Sequence, residues 1–319
     1  MALETEAVLD RRALKRRASI WRAFAILAVA LALGAIAYVA EIGTAPPRHV
    51  ARVTIDGMIT DNRPQLQMLK RIAASKNTEA LLLSINSTGG TTTGGEALYE
   101  AIREVAAKKP VVAQFGTIAA SAAYIAGLAA DHIVARGNTI TGSVGVIFQY
   151  PEISALLEKV GVKMNEVRSG PLKAVPSIFE PASPEGRKVT EELVAESQRW
   201  FLELVRTRRN IDTASVPGLE QGRIFSGREA LRFKLVDSIG GEAEALKWLE
   251  TERKIPARTR IIEWKPRSES VTSLGRLFGA IGRALGIDES TLSTLRTSAS
   301  VTGSLVLDGL APVWQPHEK

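Results

Sequence analysis

The sequence lacks cysteine entirely and contains little histidine. Without cysteine the chain forms no disulfide and no thiolate metal site, and a cysteine nucleophile is excluded. The three histidines, His49, His132 and His317, lie far apart in the sequence. A zinc cluster is therefore not expected, and a Ser-His-Asp triad would be hard to assemble. We expect neither a bound metal ion nor a cofactor.

The chain also lacks the charge pattern of a nucleic-acid-binding protein. Its formal net charge is +7. Residues 1–22 contain six basic and three acidic side chains. That segment contributes +3, which leaves only +4 for the rest of the chain. Because no basic stripe alternates with aromatic residues, we expect no nucleic-acid partner.

One long uncharged run lies near the amino terminus, at residues 23–40. As a helix these 18 residues span about 27 Å, close to the thickness of a bilayer core. Basic residues precede the run and Glu41 follows it, so the positive-inside rule places the amino terminus in the cytoplasm and the bulk of the chain outside. A cleavable signal peptide is the alternative, with a small-residue site at residues 35–37, but the run exceeds the usual signal-peptide core. We predict an uncleaved transmembrane anchor.

The remaining segments follow from this anchor. Residues 1–22 are predicted to be a basic cytoplasmic tail, and residues 41–49, which contain two prolines, a linker. We expect a globular domain over residues 50–255. Beyond it, residues 256–319 form a C-terminal extension with a predicted amphipathic helix around residues 274–285, followed by a stretch that adds a strand or stays disordered.

Within the globular domain, apolar β-branched runs alternate with helical patterns. This alternation predicts an α/β fold with a largely parallel sheet built from βαβ units. Strands are predicted at residues 53–59, 81–86, 111–115, 132–135 and 163–169, with another following a turn within residues 141–148. Helices are predicted at residues 64–76, 96–108, 151–161 and 242–252, after Ser121, and from Pro184 onward with Ser183 as N-cap and an apolar face of Val189, Leu193, Trp200, Phe201, Leu204 and Val205.

Ser121 stands between the predicted strand at residues 111–115 and an Ala-rich helix. Several unrelated hydrolases place a nucleophile at such a strand-to-helix turn, where helix N–H groups are free to bind an oxyanion. A simpler interpretation is that Ser121 caps the helix. The local sequence leaves both interpretations open.

Gly89 and Gly90 follow the strand at residues 81–86. Because parallel strands present their carboxyl ends at one edge of the sheet, this turn and Ser121 are expected to face the same cleft. Two glycine N–H groups there could serve as an oxyanion hole. The alternative is an ordinary glycine-rich turn between a strand and a helix.

A serine nucleophile requires a base, and lysine can act as one when burial lowers its pKa. Lys173 lies among Pro171, Leu172, Ala174, Val175 and Pro176, an apolar setting for a charged side chain. Most lysine side chains in proteins are solvated, so the apolar neighbours alone leave the role of Lys173 open.

Five ordered segments resemble bacterial signal peptide peptidases of the SppA type. They are INSTGG, GTIAASAAYIAGLAAD, TITGSVGVI, SGPLK and GRIFSGREALRFKLVDSIGG, within residues 50–250. The resemblance implies a Clp protease/crotonase-like fold of repeated β-β-α units and a ring-shaped homo-oligomer. It leaves open whether each dyad is completed within one chain or between neighbouring protomers.

The resemblance also implies the residue roles. By position in these motifs, Ser121 is the nucleophile, Lys173 the general base and Ser143 the residue that orients the lysine. Backbone N–H groups of Gly89 or Gly90 and of Ala122 are the implied oxyanion donors. The sequence departs from the family pattern at three places, namely Thr88 in place of proline and Ala122 and Ala123 in place of glycines. Arg223, Gly227 and Asp237 also match the last motif, where we expect structural roles.

The implied function is a serine endopeptidase, anchored in the bacterial inner membrane with a periplasmic catalytic domain. Its expected substrates are hydrophobic peptides, cleaved signal peptides above all. Three alternatives remain, namely a Ser/Lys protease that acts on a stomatin-like membrane partner, a crotonase-type acyl-CoA enzyme, and a non-catalytic ring that organises membrane partners.

Overall fold

The computed structural model describes residues 17–34 and 47–266. Most of the predicted tail and linker, the end of the predicted anchor at residues 35–40 and all of the extension beyond residue 266 lie outside the described residues. The predicted amphipathic helix at residues 274–285 is among them.

The first described element is helix α1, Arg17–Gly34. Its mean hydropathy of 1.5 and length of 18 residues allow it to cross a membrane by length and composition alone. The helix begins within the predicted cytoplasmic tail and overlaps the predicted anchor over residues 23–34. A signal sequence near the amino terminus has the same properties, so the uncleaved anchor stays a prediction.

Residues 47–266 form an α/β domain with eight strands and seven α-helices among the described residues. The strands are β1 (His49–Ile59), β2 (Thr78–Gly90), β3 (Val111–Ala120), β4 (His132–Ala135), β5 (Ile140–Gly142), β6 (Ile224–Ser226), β7 (Ser238–Ile239) and β8 (Arg260–Glu263). The helices are α2 (Arg63–Ala74), α3 (Thr92–Ala106), α4 (Ala122–Leu128), α5 (Ser154–Lys159), α6 (Pro184–Arg209), α7 (Gly227–Arg232) and α8 (Glu242–Arg253).

The strands form one sheet in the order β6-β5-β3-β2-β1-β8, and β4 pairs with both β3 and β7. Every pairing is parallel except that of β5 with β6. The predicted α/β fold with a largely parallel sheet is therefore confirmed.

Helices cover both faces of this sheet, which explains the near-continuous apolar run in β2. Successive side chains of a strand point to opposite faces. Leu81 and Leu83 accordingly pack into the large cluster that includes residues of α2, α3, α4 and α6, whereas Leu82 packs on the other face with Leu249 of α8.

Several of the predicted boundaries agree with the structure. Ser183 caps α6 as expected, because its Oγ accepts a hydrogen bond of 3.0 Å from the Gly186 N–H. Helix α8 and strand β4 also lie where they were predicted. Strands β2 and β3, in contrast, run on through residues 87–90 and 116–120, and α3 begins four residues earlier than residue 96.

Two strand predictions are wrong. Residues 163–169 and 143–148 pair with no strand among the described residues, although both carry apolar side chains suited to one. The predicted apolar face of α6 is only half covered: Phe201 and Val205 are buried, whereas Val189 and Leu193 are exposed. The carboxyl-terminal half of this face packs on the core, whereas Val189 and Leu193 nearer the amino terminus stay about half exposed.

Candidate active site

Ser121 is held in an unusual backbone conformation at the junction of β3 and α4. Its φ of 56° and ψ of −125° lie in a region that L-residues rarely adopt and that is common at functional sites. The Ser121 N–H donates to the Gly142 carbonyl at 2.9 Å, which fixes this geometry from strand β5. The Ser121 side chain makes no capping hydrogen bond. The interpretation of Ser121 as a side-chain helix cap is therefore wrong.

Helix α4 begins directly after Ser121 and is buried along its whole length of seven residues. Tyr124 and Ile125 donate their N–H groups to the Ser121 carbonyl at 2.9 and 3.0 Å. In the part of the chain that the structure describes, the N–H groups of Ala122 and Ala123 have no acceptor, as is usual in the first turn of a helix. These groups are free to bind an oxygen beside the Ser121 hydroxyl.

Two arginines fix the other end of α4. Arg208 of α6 donates to the carbonyls of Leu128 and Ala130 at 2.7 and 2.9 Å, and Arg103 of α3 donates to Ala129 at 2.9 Å. Cations at a helix C-terminus satisfy its unpaired carbonyls and complement the helix dipole. Burial lowers the pKa of Arg208, but an arginine stays protonated. These hydrogen bonds restrain the C-terminal end of α4, whose N-terminal end follows Ser121.

The turn at Gly89 and Gly90 lies directly against Ser121. Gly89 has a φ of +118°, and a Cβ added there would lie 2.8 Å from the Ser121 Cβ. At Gly90 an added Cβ would lie 1.9 Å from the Ile59 carbonyl oxygen. Only glycine allows this close approach of backbones. The Gly89 N–H donates to Ser87 Oγ at 3.1 Å, so in this conformation it is already engaged.

Ser143 lies on the opposite side of Ser121, just after β5. Its φ is 52°, and its N–H donates to the Arg223 carbonyl at 3.0 Å. The Arg223 side chain in turn pairs with Glu229 at 2.7 Å and stacks over Phe225. Gly227 and Asp237 also have structural contacts: a Cβ at Gly227 would meet the Arg136 carbonyl, and Asp237 pairs with Arg209 at 2.6 Å.

Ser121, Ser143, Gly89 and Gly90 open into one cleft with a volume of about 1270 Å³. Much of its wall is apolar, and the exposed side chains of Met58, Ile147, Phe148 and Leu193 contribute to it. Among the described residues that line the cleft, Glu220 carries the only ionisable side chain, and its carboxylate accepts a hydrogen bond from Thr213 at 2.8 Å. Among the described residues of one chain, the cleft therefore contains the serine but no lysine.

Lys173 is not one of the residues that line this cleft. It lies in the loop between α5 and α6, and its backbone N–H donates to the Gly170 carbonyl at 3.1 Å. Its side chain is exposed and forms no hydrogen bond or ion pair with any described residue. The burial expected from its apolar neighbours is absent within one chain. The structure thus brings four of the predicted site residues together, with Ala122 adjacent, and leaves Lys173 apart.

The segment that carries Lys173 is unusually apolar for an exposed one. Residues 154–173, which we call the arm, expose many large aliphatic side chains. These are Leu156, Val160, Val162, Met164, Val167 and Leu172. A patch of this kind is typical of a surface that meets another protein or a membrane.

Several residues with hydrogen bonds near the site were not identified from the sequence. Asn86 and Ser87 hydrogen-bond neighbouring strands beside the site, and Gln198 of α6 donates to the carbonyls of Val144 and Glu220 at 3.2 and 3.3 Å. Asn86 and Ser87 lie in the motif INSTGG, whereas Gln198 lies in none of the motifs. The partners of all three on other segments of the chain lie 20 or more residues away in the sequence.

Comparison with known proteins identifies the family. The model of peptidase family S49 matches residues 103–256, and that of the Clp protease matches residues 51–138. A protein named as a protease in Synechocystis sp. is 35% identical over 210 residues, which cover 65% of this chain and 76% of that protein. The chain belongs to peptidase family S49. The predicted resemblance to the SppA type and the Clp protease-like fold are thereby confirmed.

Two further relatives of this S49 protease define the extent of the match. A protein of Enterococcus faecium named as a signal peptide peptidase SppA is 35% identical over 235 residues, which cover 68% of this chain and 67% of that one. Protease 4 of Haemophilus influenzae is 29% identical over 64% of this chain, but the match spans only 35% of its own length. Family membership supports protease activity, which disfavours the acyl-CoA enzyme.

One solved structure gives a weaker likeness. The S97A mutant of the 1510-N membrane-bound stomatin-specific protease matches with a TM-score of 0.45 and 18% identity, covering 70% of this chain and all of that one. A likeness of this strength does not bear on the substrate of this S49 protease.

Proposed function

We propose that this S49 protease is a membrane-anchored serine endopeptidase that cleaves hydrophobic peptides, including released signal peptides, with Ser121 and Lys173 as a catalytic dyad. The observation that carries the proposal is the position of Ser121. It combines a strained backbone, free helix N–H groups and an opening into an apolar cleft. The apolar side chains of that cleft suit a hydrophobic peptide.

In the proposed reaction, neutral Lys173 accepts the proton of the Ser121 hydroxyl while Oγ attacks the scissile carbonyl carbon. The resulting oxyanion receives hydrogen bonds from the Ala122 N–H and from a donor of the Gly89–Gly90 turn. The Lys173 ammonium then gives its proton to the leaving amine, which leaves an acyl group on Ser121. Lys173 then deprotonates a water molecule, which attacks the ester carbonyl. As the peptide acid leaves, the Lys173 ammonium returns the proton to Ser121 Oγ. Ser143 orients the lysine side chain throughout.

Because Lys173 lies apart from the cleft within one chain, the proposal requires that a neighbouring copy supplies it. Two features support this arrangement: the cleft holds no lysine of its own, and Lys173 lies on an exposed apolar arm. Burial of the arm against a second copy would remove the Lys173 ammonium from water and favour its neutral form. A closed ring of identical subunits would complete every site in the same way.

Helix α1 is the proposed anchor, with the amino terminus in the cytoplasm and the protease domain on the periplasmic side of the inner membrane. The length and composition of the helix support a membrane span. An anchored protease would meet signal peptides where they remain after release, in the bilayer.

Mixing two inactive variants tests both the dyad and its assembly. Ser121→Ala and Lys173→Ala chains should each fail to cleave an apolar fluorogenic peptide when assayed alone. Co-assembled in detergent, they should regain activity, because an intact Ser121 can then meet an intact Lys173 of its neighbour. Activity in either single variant would contradict the dyad, and silence of the mixed assembly would contradict its completion between chains.

A further inference from the structure

We infer that Asn86 and Ser87 are positioning residues, which clamp two irregularities of the sheet and thereby set the distance between the Gly89 turn and Ser121. This inference rests on the proposed role of Ser121 as nucleophile. Neither side chain lines the cleft, so both act through the strands that they hold.

The first irregularity lies between β2 and β3. Ile85 pairs with Phe115, but two residues later Ser87 pairs with Ala119, so β3 carries two extra residues over this step. The N–H groups of Thr117 and Ile118, which lie in this bulge, both donate to Asn86 Oδ1, at 3.0 and 3.3 Å. One side-chain oxygen thus takes the place of the interrupted ladder, three residues before Ser121.

The second irregularity lies between β1 and β2. Asp56 pairs with Asn86 and Met58 pairs with Gly89, so here β2 carries one extra residue. Ser87 is buried at this point; its Oγ donates to the Gly57 carbonyl of β1 and accepts from the Gly89 N–H at 3.1 Å. Ser87 therefore fixes the orientation of the peptide that packs on Ser121.

The two clamps are adjacent in sequence and act on the two strands that meet at the site. A strand advances about 3.3 Å per residue, so slippage of either bulge by one residue would move Gly89 by about that distance relative to Ser121. The Gly89 backbone packs so closely on Ser121 that even an added Cβ at Gly89 would lie only 2.8 Å from the Ser121 Cβ. A displacement of about 3.3 Å would therefore disrupt this contact. Bulges next to active sites commonly aim a side chain in this manner.

Four variants of the full-length chain in detergent test the inference. Asn86→Ala removes the acceptor, whereas Asn86→Asp retains an oxygen for the same two N–H groups at this exposed position. Ser87→Ala removes the second clamp. Thr78→Ala is the matched control, because Thr78 is another buried hydroxyl on β2, at its far end, bonded to His49 and Ser75.

Asn86→Ala and Ser87→Ala should lower kcat about 10- to 100-fold, as expected for a misplacement on the order of 1 Å, with little change in KM. Their labelling rate with a fluorophosphonate should fall in parallel, and Asn86→Asp should recover most of kcat. Thr78→Ala should lose thermal stability but keep its kcat.

Parental kcat in both Asn86→Ala and Ser87→Ala would overturn the inference, and so would an equal loss of kcat in Thr78→Ala. Should Ser87→Ala fail to fold, the exposed Asn86 pair decides alone. A Ser121→Ala chain assayed in parallel distinguishes failure of the positioning role from failure of the proposed nucleophile. If it is inactive while Asn86→Ala is parental, only the positioning role fails; if it is active, the proposed nucleophile fails.

Discussion

Replacement of Gly89 by alanine should strongly lower the activity of the protease while largely sparing its fold. Gly89 has a φ of +118°, and its new methyl group would lie 2.8 Å from the Ser121 Cβ, 3.0 Å from the Ala120 oxygen and 3.2 Å from the Ala122 nitrogen. Ordinary contact begins at 3.4 Å. Ser121 or the glycine turn must therefore move by about 0.6 Å, and shifts approaching 1 Å can reduce a rate about 100-fold.

Gly57 provides the matched control for the backbone contribution. It also has a positive φ, +70°, but an added Cβ there would meet nothing within 4 Å. Gly57→Ala should cost about 1–2 kcal/mol for the left-handed conformation, or roughly 2–8 °C in Tm for a domain of this size, and should keep most of its activity because the Gly57 carbonyl is unchanged.

The assay is kcat on an apolar fluorogenic peptide, with Tm measured on the same preparations. We expect Gly89→Ala to lose about 10- to 100-fold in kcat, which corresponds to roughly 1.4–2.7 kcal/mol of transition-state stabilisation. A Gly89→Ala enzyme with parental kcat, or a Gly57→Ala enzyme that is equally impaired, would refute the close packing of this turn on the nucleophile.

Two further predictions concern the framework around the site. Arg208→Ala should lower the free energy of unfolding in urea by about 2–4 kcal/mol, because it removes two charged hydrogen bonds to the end of α4. Arg206→Ala is the control and should have little effect, since it breaks only an exposed ion pair with Glu203 on the same helix. Burial lowers the pKa of His132 from its ordinary value of 6.5, although Asp237 opposes this shift. Below about pH 6.5 the unfolded chain therefore binds a proton at this histidine before the folded chain does, so Tm should fall as the pH falls from 7 to 5, and His132→Gln should show a smaller decrease. An equal decrease in both chains, or an Arg206 variant as unstable as the Arg208 variant, would contradict these assignments.

The sequence was most informative where a structural signal is local. The alternation of apolar runs with helical patterns predicted the parallel sheet, and the Ser183-Pro184 pair predicted the start of α6. The common edge of parallel strands also predicted that the turn at Gly89 and Ser121 would face one cleft, as they do.

What could not be predicted depends on partners distant in sequence. The extension of β2 and β3 through glycine- and threonine-containing segments relies on Asn86 and Ser87, whose bonded groups lie about 30 residues away. The side chains that bind the C-terminal carbonyls of α4 are those of Arg103 and Arg208, on two other helices. Nothing in the local sequence marks either arrangement.

The wrong strand prediction at residues 163–169 has a different origin. The segment contains apolar Met164 and Val167, but it pairs with no described strand, and Val167 is fully exposed. Lys173 is exposed as well, although its apolar neighbours are a poor setting for a solvated charge. If a neighbouring copy covers this arm as proposed, the apolar side chains of residues 163–169 and those around Lys173 are buried between chains rather than within one chain.

The central claim, that Ser121 is the nucleophile, can be tested by covalent labelling of the assembled full-length protease. Treated with a fluorophosphonate, digested and analysed by mass spectrometry, the chain should carry the label on Ser121, and Lys173→Ala should label far more slowly. Labelling at another serine, or none in an assembly that cleaves peptides, would contradict the account.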